Sequence, residues 1–177
     1  MIFVTVGTHE QSFRRLIEKI DWLRERGVIK EEVFMQIGFT KDYKPKYCDS
    51  KEFIEHDEMG KYCEKARIII THGGPGSIMP AFQMGKVPIV VPRNPKMDEH
   101  VDEHQILFTK KLESLNKVIP VYDIDLLEDV IENYDVYANQ CNVNSESTLK
   151  SFIENFEKEV VELVEGGKKK GKKKKQD

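Results

Sequence analysis

The chain has 177 residues, 39% of them hydrophobic and 33% charged, which is enough for one α/β core and short for an enzyme of two such domains. Its net charge of −3 hides an asymmetry: seven lysines between Lys168 and Lys175, together with Asp177, contribute +6 and leave about −9 on residues 1–167. A body this acidic excludes bulk attraction for nucleic acid, so any phosphate it binds must be held by local donors. Cys48, Cys63 and Cys141 are odd in number, widely spaced and form no C-x-x-C, which argues against a disulfide framework and against a zinc knuckle. The chain opens directly on strand-like Ile2 to Val6, with no basic region or long apolar stretch. Neither a signal peptide nor a membrane span is therefore expected, and the domain is placed in the cytoplasm.

In chain order, Ile2 to Val6 is an apolar, β-branched run ended by Gly7, as suits a central strand feeding a loop. Thr8 to Ser12 leads into a helix whose apolar positions Phe13, Leu16, Ile17, Ile20 and Leu23 recur at helical spacing and stop at Gly27. Val33 to Ile37 is the next strand, and the polar, Pro-containing stretch from Phe39 to Lys51 reads as a loop. Glu52 to His56 is expected to be a brief strand and Met59 to Ala66 a short helix capped by Asp57. The apolar run at Ile68 then breaks into Thr71-His72-Gly73-Gly74-Pro75-Gly76-Ser77, followed by a helix to Met84 and a strand from Val87 to Val91. Beyond a Pro-rich loop at Pro92 to Pro95, Glu103 to Leu115 reads as helix and Val118 to Val121 as the last strand. Asp125 to Tyr134 reads as a helix capped by Asp123 or Asp125. Strands alternating with helices imply α/β architecture, a parallel sheet with helices on both faces.

The organisation expected is a domain over 1–138, a linker and amphipathic helix over 139–167, and a lysine tail over 168–177. Leu149, Phe152, Ile153, Phe156, Val160, Leu163 and Val164 share one face of the terminal helix. Self-repulsion predicts a disordered tail unless an anionic surface neutralises it. Lys168 to Lys175 are thus a candidate contact with an anionic membrane, against the alternative of a solubilising tail with no role.

The glycine turn after the Ile68 run is where the chemistry concentrates. A helix starting near Ser77 aims its free N–H groups into that turn, which favours an anion such as a diphosphate, with Ser77 and His72 as added donors. It is not a P-loop, because no lysine follows the glycines at G-x-x-x-x-G-K-[ST] spacing. A ligand in such a sheet sits at the carboxyl ends of the strands, where Gly7-Thr8, Ile54-Glu55 and His72-Gly73-Gly74 all fall.

These residues do not stand alone. Met1 to Gln11, Glu52 to Met59, and the stretch from Thr71 through Gly85-Lys86-Val87-Pro88 to Asp102-Glu103-His104-Gln105 resemble the donor-binding, C-terminal half of GT-B glycosyltransferases of family 28. The likeness is greatest to the split enzymes of capsule and exopolysaccharide assembly and to the small catalytic subunit of the dolichol-linked N-acetylglucosaminyltransferase. The resemblance implies a Rossmann-like fold and a UDP-sugar donor. Gly7, Thr8, His72, Gly73, Gly74, Gly76 and Ser77 would then face the diphosphate, Phe53 and Ile54 the uracil, and Asp102, Glu103, His104 and Gln105 the sugar. It implies an inverting transfer of galactose or N-acetylglucosamine to a polyprenyl-pyrophosphate-linked saccharide, with no metal and no cofactor. A membrane-anchored partner would supply the acceptor site and the general base, for which His9 is the candidate within this chain, and would hold the protein at the inner face of the membrane.

One departure matters: the place eight residues after the histidine, where related enzymes often hold the ribose with a Glu, is Pro80. Two other readings compete. His100-Val101-Asp102-Glu103-His104 spells the H-x-x-E-H of inverted zinc proteases, and Asp123-Ile124-Asp125 resembles a metal-binding D-x-D. A nucleotide-sugar-binding regulatory module without transfer activity is the alternative outside enzymes.

Overall fold

Six short strands form one parallel sheet in the order β3-β2-β1-β4-β5-β6. The computed structural model describes residues 1–141, so the terminal helix and the lysine tail lie outside the described residues. The strands are β1 (Ile2–Thr5), β2 (Val33–Gln36), β3 (Asp49–Lys51), β4 (Ile68–Thr71), β5 (Ile89–Val90) and β6 (Ile119–Pro120). Every residue of β1 and β4 is fully buried. Because successive side chains point to opposite faces, both faces of the sheet must be covered, and the helices between the strands cover them. This is the Rossmann-like α/β fold that the alternation of elements implies.

The helices are α1 (Arg14–Glu25), α2 (His56–Lys65), α3 (Pro75–Gln83), α4 (His104–Ser114), α5 (Leu127–Glu132) and α6 (Tyr134–Ala138). α1 buries Leu16, Ile17, Ile20 and Leu23 as its periodicity predicts. It also buries Asp21, whose carboxylate accepts from Tyr43 Oη, Lys46 N and Tyr47 N at 2.8 to 2.9 Å. That one side chain ties the long loop after β2 down onto α1. Asp123 accepts from Asp125 N at 3.0 Å and caps a short 3-10 turn, and Asp125 pairs with Lys19, so the D-x-D is accounted for by capping.

Three elements differ from expectation: the helix expected over Asp125 to Tyr134 is a 3-10 turn (Ile124–Leu126) followed by α5 and the separate α6, and the other two lie around β3. The third strand is Asp49–Lys51 and not Glu52–His56, and α2 begins at His56, capped by a reciprocal Glu55–Glu58 box and not by Asp57. An edge strand keeps polar, solvent-facing side chains, so β3 carries none of the apolar signal by which buried strands are recognised. Phe53 and Ile54, which suggested a strand, turn towards the cleft described below.

After α3 the chain reverses at Gly85 (φ 66°), and Lys86 drives its ammonium into the last turn of α2. Lys86 Nζ donates to the carbonyls of Cys63, Glu64 and Ala66 at 2.5 to 2.6 Å. A cation on three otherwise open carbonyls is the favourable way to end a helix. Lys86→Met keeps the stem and removes the donors, and is expected to lower stability by about 2 kcal/mol in chemical denaturation. A midpoint equal to wild type would show that water replaces the ammonium at no cost.

Candidate functional site

In this strand order the connections after β1 and β4 leave in opposite directions, which opens a crevice at the carboxyl ends of those two strands. A cleft of about 630 Å³ lies there. Gly7, Thr8 and His9 line it from the β1 side, Phe53, Ile54 and Met59 from the α2 side, and His72, Gly74, Pro75, Gly76 and Ser77 from the β4 side. Nine of the residues singled out in the sequence thus come together. A second cavity of about 570 Å³, between Arg26 to Glu31 and Arg67, is at the opposite end of the strands, away from all of them.

The β4–α3 turn is built around the His72 ring. A Cβ on Gly7 would lie 2.4 Å from His72 Nε2, and one on Gly74 would lie 2.1 Å from Cε1. The imidazole is therefore wedged between two glycines from the two facing turns, and Gly7 adds a backbone φ of 73° that disfavours any side chain. His72 Nδ1 has two neighbours, Gly74 N at 3.1 Å and Gln105 Oε1 at 3.3 Å; the shorter contact is to a backbone N–H that can only donate, and on it that nitrogen is assigned the lone pair. The proton is then on Nε2, which donates to Ser77 Oγ at 2.9 Å. Burial, reinforced by the nearby Arg93 charge, lowers the His72 pKa to about 3, and the ring is neutral.

This arrangement spends both ring nitrogens inside the protein and leaves Ser77 free to donate its own hydroxyl proton into the cleft. α3 has no side-chain cap; Pro75 brings no N–H, and the Gly76 N–H has no acceptor among the described residues. Nothing lies within 4 Å of where a Gly76 Cβ would be, so the space beside the helix start is open. A bare helix N-terminus with an oriented hydroxyl beside it favours negative charge.

The remaining predicted residues divide. Gly73 does not line the cleft. Its missing Cβ lets α4 approach, since a methyl there would meet Gln105 O at 2.8 Å and Thr109 Oγ1 at 2.9 Å. Gln105 is buried behind the turn, and its Oε1 accepts from Gly73 N at 3.1 Å and Arg93 N at 3.2 Å. Its amide nitrogen has no partner among the described residues. Asp102, Glu103 and His104 stand at the start of α4, outside the cleft lining. Asp102 accepts from His104 N at 3.0 Å, and its two oxygens lie 3.1 and 2.8 Å from Nδ1 of His100 and His104. The H-x-x-E-H reading fails on this geometry. α4 begins only at His104, so the two histidines do not share a helical face, and Glu103 points to solvent. Among the described residues no three His, Cys, Asp or Glu side chains converge to hold a metal. Pro80 lies inside α3 and offers no polar side chain to a ribose.

Two supporting residues carried no signal in the sequence. Gln36, at the end of β2, bonds Thr5 through its oxygen and donates to Gly7 O at 3.0 Å and Glu52 O at 3.3 Å, joining the first turn to the α2 wall. Arg93, fully buried after β5, donates to Val6 O at 2.8 Å, Gln11 O at 2.8 Å, Glu99 O at 3.1 Å and Ser12 O at 3.4 Å. Its guanidinium stacks over Phe13 at 4.7 Å, and Glu99 beside it is paired with Arg15 at 2.8 Å. Burial lowers the Arg93 pKa to about 10, with Glu99 opposing the shift, so the group stays charged under the cleft floor.

Comparison with known proteins is consistent with this geometry. UDP-N-acetylglucosamine transferase subunit ALG13 of Yarrowia lipolytica (strain CLIB 122 / E 150) is 31% identical over 99 residues, covering 53% of this chain and 50% of the relative. The protein of the same name from Candida albicans (strain SC5314 / ATCC MYA-2876) is 28% identical over 137 residues, 74% of this chain and 44% of the relative. The chain spans about half the length of these curated relatives. In fold it is similar to the calicheamicin glycosyltransferase CalG4 (TM-score 0.55, 15% identity, 84% of this chain and 35% of that one). It is similar also to MurG of Acinetobacter baumannii (TM-score 0.52, 16% identity, 88% of this chain and 49% of that one). The family model described as the glycosyltransferase family 28 C-terminal domain matches residues 1–165, a span that includes both turns of the cleft and the α4 cluster behind them, and this chain belongs to that family.

Proposed function

We propose that this chain is the donor-binding subunit of a two-component, inverting glycosyltransferase. It takes N-acetylglucosamine from its UDP-sugar and passes it to a polyprenyl-pyrophosphate-linked saccharide on a membrane-anchored partner. The observation that carries the reading is the cleft between the first glycine turn and the uncapped start of α3, where Gly76 N–H, Ser77 Oγ and Thr8 meet. In the reaction an acceptor hydroxyl oxygen attacks the anomeric carbon as the partner's general base takes its proton, the bond from that carbon to the diphosphate breaks, and the electron pair leaves with UDP. Donors fixed around the departing diphosphate stabilise that charge in the role a metal ion fills elsewhere. The exposed ring of Phe53, edge-on to Phe39 at 5.1 Å, is at the cleft mouth where a uracil would stack.

The fungal relatives' name favours N-acetylglucosamine over galactose, and the word subunit in it favours a partner. No helix among the described residues is long and apolar enough to cross a membrane. Capsule or exopolysaccharide assembly is the process that the sequence resemblance implies, with the protein at the cytoplasmic face of the membrane.

Calorimetry of the full chain with UDP-GlcNAc tests the reading. Binding is expected with and without EDTA, weakened on the order of tenfold by Ser77→Ala through loss of one hydrogen bond to a charged group. Transfer to a lipid-linked acceptor is expected only when an acceptor-binding subunit is co-purified. Turnover by the single chain would refute the two-component scheme, and binding without transfer by any partner would leave a nucleotide-sugar-binding module.

A further inference from the structure

The loop after β1 presents a second histidine to the cleft, and its surroundings differ from those of His72. His9 lines the cleft, and its ring stacks on that of His100 with centroids 4.4 Å apart and planes 25° apart. His9 Nε2 lies 2.7 Å from Gln11 Oε1. The orientation of the Gln11 amide is decided at its other end, where Nε2 donates to the backbone carbonyl of Asp98 at 2.9 Å. A carbonyl accepts and never donates, so the amide nitrogen must face Asp98 and the amide oxygen must face His9. His9 Nε2 is therefore a donor, and the lone pair of the neutral ring is on Nδ1. That nitrogen has no partner among the described residues.

His9 lines the cleft, and an unprotonated ring nitrogen that met a diphosphate there would be in conflict with it. The phosphoryl oxygens are acceptors as well, and two acceptors repel unless a proton comes between them. The ring cannot escape by exchanging tautomers, because Nε2–H is held by Gln11, which is held by the main chain. The stack on His100 and the bond to Gln11, whose own carbonyl accepts from Arg93 Nη1 at 2.8 Å, favour this orientation of the ring.

We propose that His9 is the cationic ligand of the donor diphosphate: its Nδ1 takes up a proton as the UDP-sugar enters, and the resulting imidazolium donates one bond to a phosphoryl oxygen and one to Gln11. The proposal rests on the UDP-sugar reading of the cleft and adds to it which side chain supplies the positive charge. His72 does not compete for the role, since both of its nitrogens are committed and its pKa of about 3 keeps it neutral. Around His9 are the stacked ring of His100, itself paired with Asp102, the buried imidazole of His72, and the Arg93 guanidinium on the Gln11 carbonyl, with Glu10 its own exposed neighbour. Burial lowers the His100 pKa, which leaves it a neutral stacking partner for a charged His9. The sign follows from the proton that binding must draw from solution: affinity falls as pH rises.

The test is isothermal titration calorimetry of the full chain with UDP-GlcNAc, whose diphosphate diester does not titrate near neutral pH, so that any proton exchanged belongs to the protein. Enthalpies in HEPES and in Tris at about pH 7.5 give the number of protons taken up, expected to be roughly one half to one per ligand in wild type. Affinity is expected to fall by at least about tenfold between about pH 6 and pH 9. His9→Asn should abolish both the uptake and the pH dependence, whereas His100→Gln should keep the uptake. Circular dichroism verifies that each variant is folded, and the wild-type uptake stands as a measurement that needs no variant. Binding with no proton uptake, or uptake unchanged in His9→Asn, would overturn the assignment of His9 while leaving the UDP-sugar reading in place. Absence of any UDP-GlcNAc binding would overturn that reading and this inference with it.

Discussion

Replacing Arg93 with methionine is expected to lower stability by about 4 kcal/mol, more than any other single change described above. The guanidinium serves four carbonyls, of Val6, Gln11, Ser12 and Glu99, and does so at full burial. Methionine fills much of the volume and satisfies none of those acceptors, and each buried carbonyl left without a donor costs about 1 to 3 kcal/mol. Its removal also strands Glu99, whose carboxylate would keep Arg15 and Asn94 N but lose the neighbouring charge. Arg93→Lys should recover only part of the loss, because an ammonium on a flexible stem cannot reproduce the fork that spans the β1 turn and the loop before α4. Urea unfolding of the three proteins decides it. A methionine variant within about 1 kcal/mol of wild type would mean that water enters and solvates the carbonyls, so that the clamp is not what holds the loop.

That clamp also shows where sequence reading reaches its limit. β1 and β4 were legible because runs such as Ile68-Ile69-Ile70 have few other fates than a strand buried on both faces, and the glycine turns follow them directly. The alternation of elements then gives a parallel sheet, and the switch-point rule places the cleft where it is found. What could not be read are contacts between residues remote in sequence. Nothing in Val91-Pro92-Arg93-Asn94 announces that this arginine turns inward to reach Val6, 87 positions away. An arginine in a polar loop has a solvated surface as its ordinary fate. Gln36 was missed for the same reason, and β3 because the edge of a sheet needs polar residues that resemble a loop. Gln105 was singled out for the sugar, yet it is buried outside the cleft lining with its oxygen taken by Gly73 and Arg93 backbone donors, and its amide nitrogen alone has no partner among the described residues. The sequence named the residue, and only the structure says which end of its side chain is free.

The wedge of His72 between two glycines leads to the second large effect, in which Gly74→Ala is expected to lose UDP-GlcNAc affinity by on the order of 100-fold while the sheet stays folded. Gly74 has φ −86° and ψ 135°, a conformation alanine adopts without strain, so backbone cost does not enter. The whole effect is steric. The new methyl would lie 2.1 Å from His72 Cε1 and 2.8 Å from Nδ1, distances that no rotamer change of alanine can relieve. The imidazole must leave its slot, which breaks the bond from Gly74 N to Nδ1 and the bond from Nε2 to Ser77 Oγ together. Ser77 then loses the donor that fixes its hydroxyl, and the displaced ring moves towards the space a diphosphate would occupy. Overpacking of this kind costs about 1 to 3 kcal/mol of stability as well. His72→Ala by itself removes the ring and should weaken binding less than Gly74→Ala, since it frees the hydroxyl without obstructing the cleft. The decisive measurement is the double variant: with no ring to displace, Gly74→Ala should cost little stability on a His72→Ala background. The two changes are then coupled by at least about 1 kcal/mol in a double-mutant cycle. Additive stabilities would mean that ring and methyl never compete, and that the close approach of Gly7, His72 and Gly74 is not what shapes the turn.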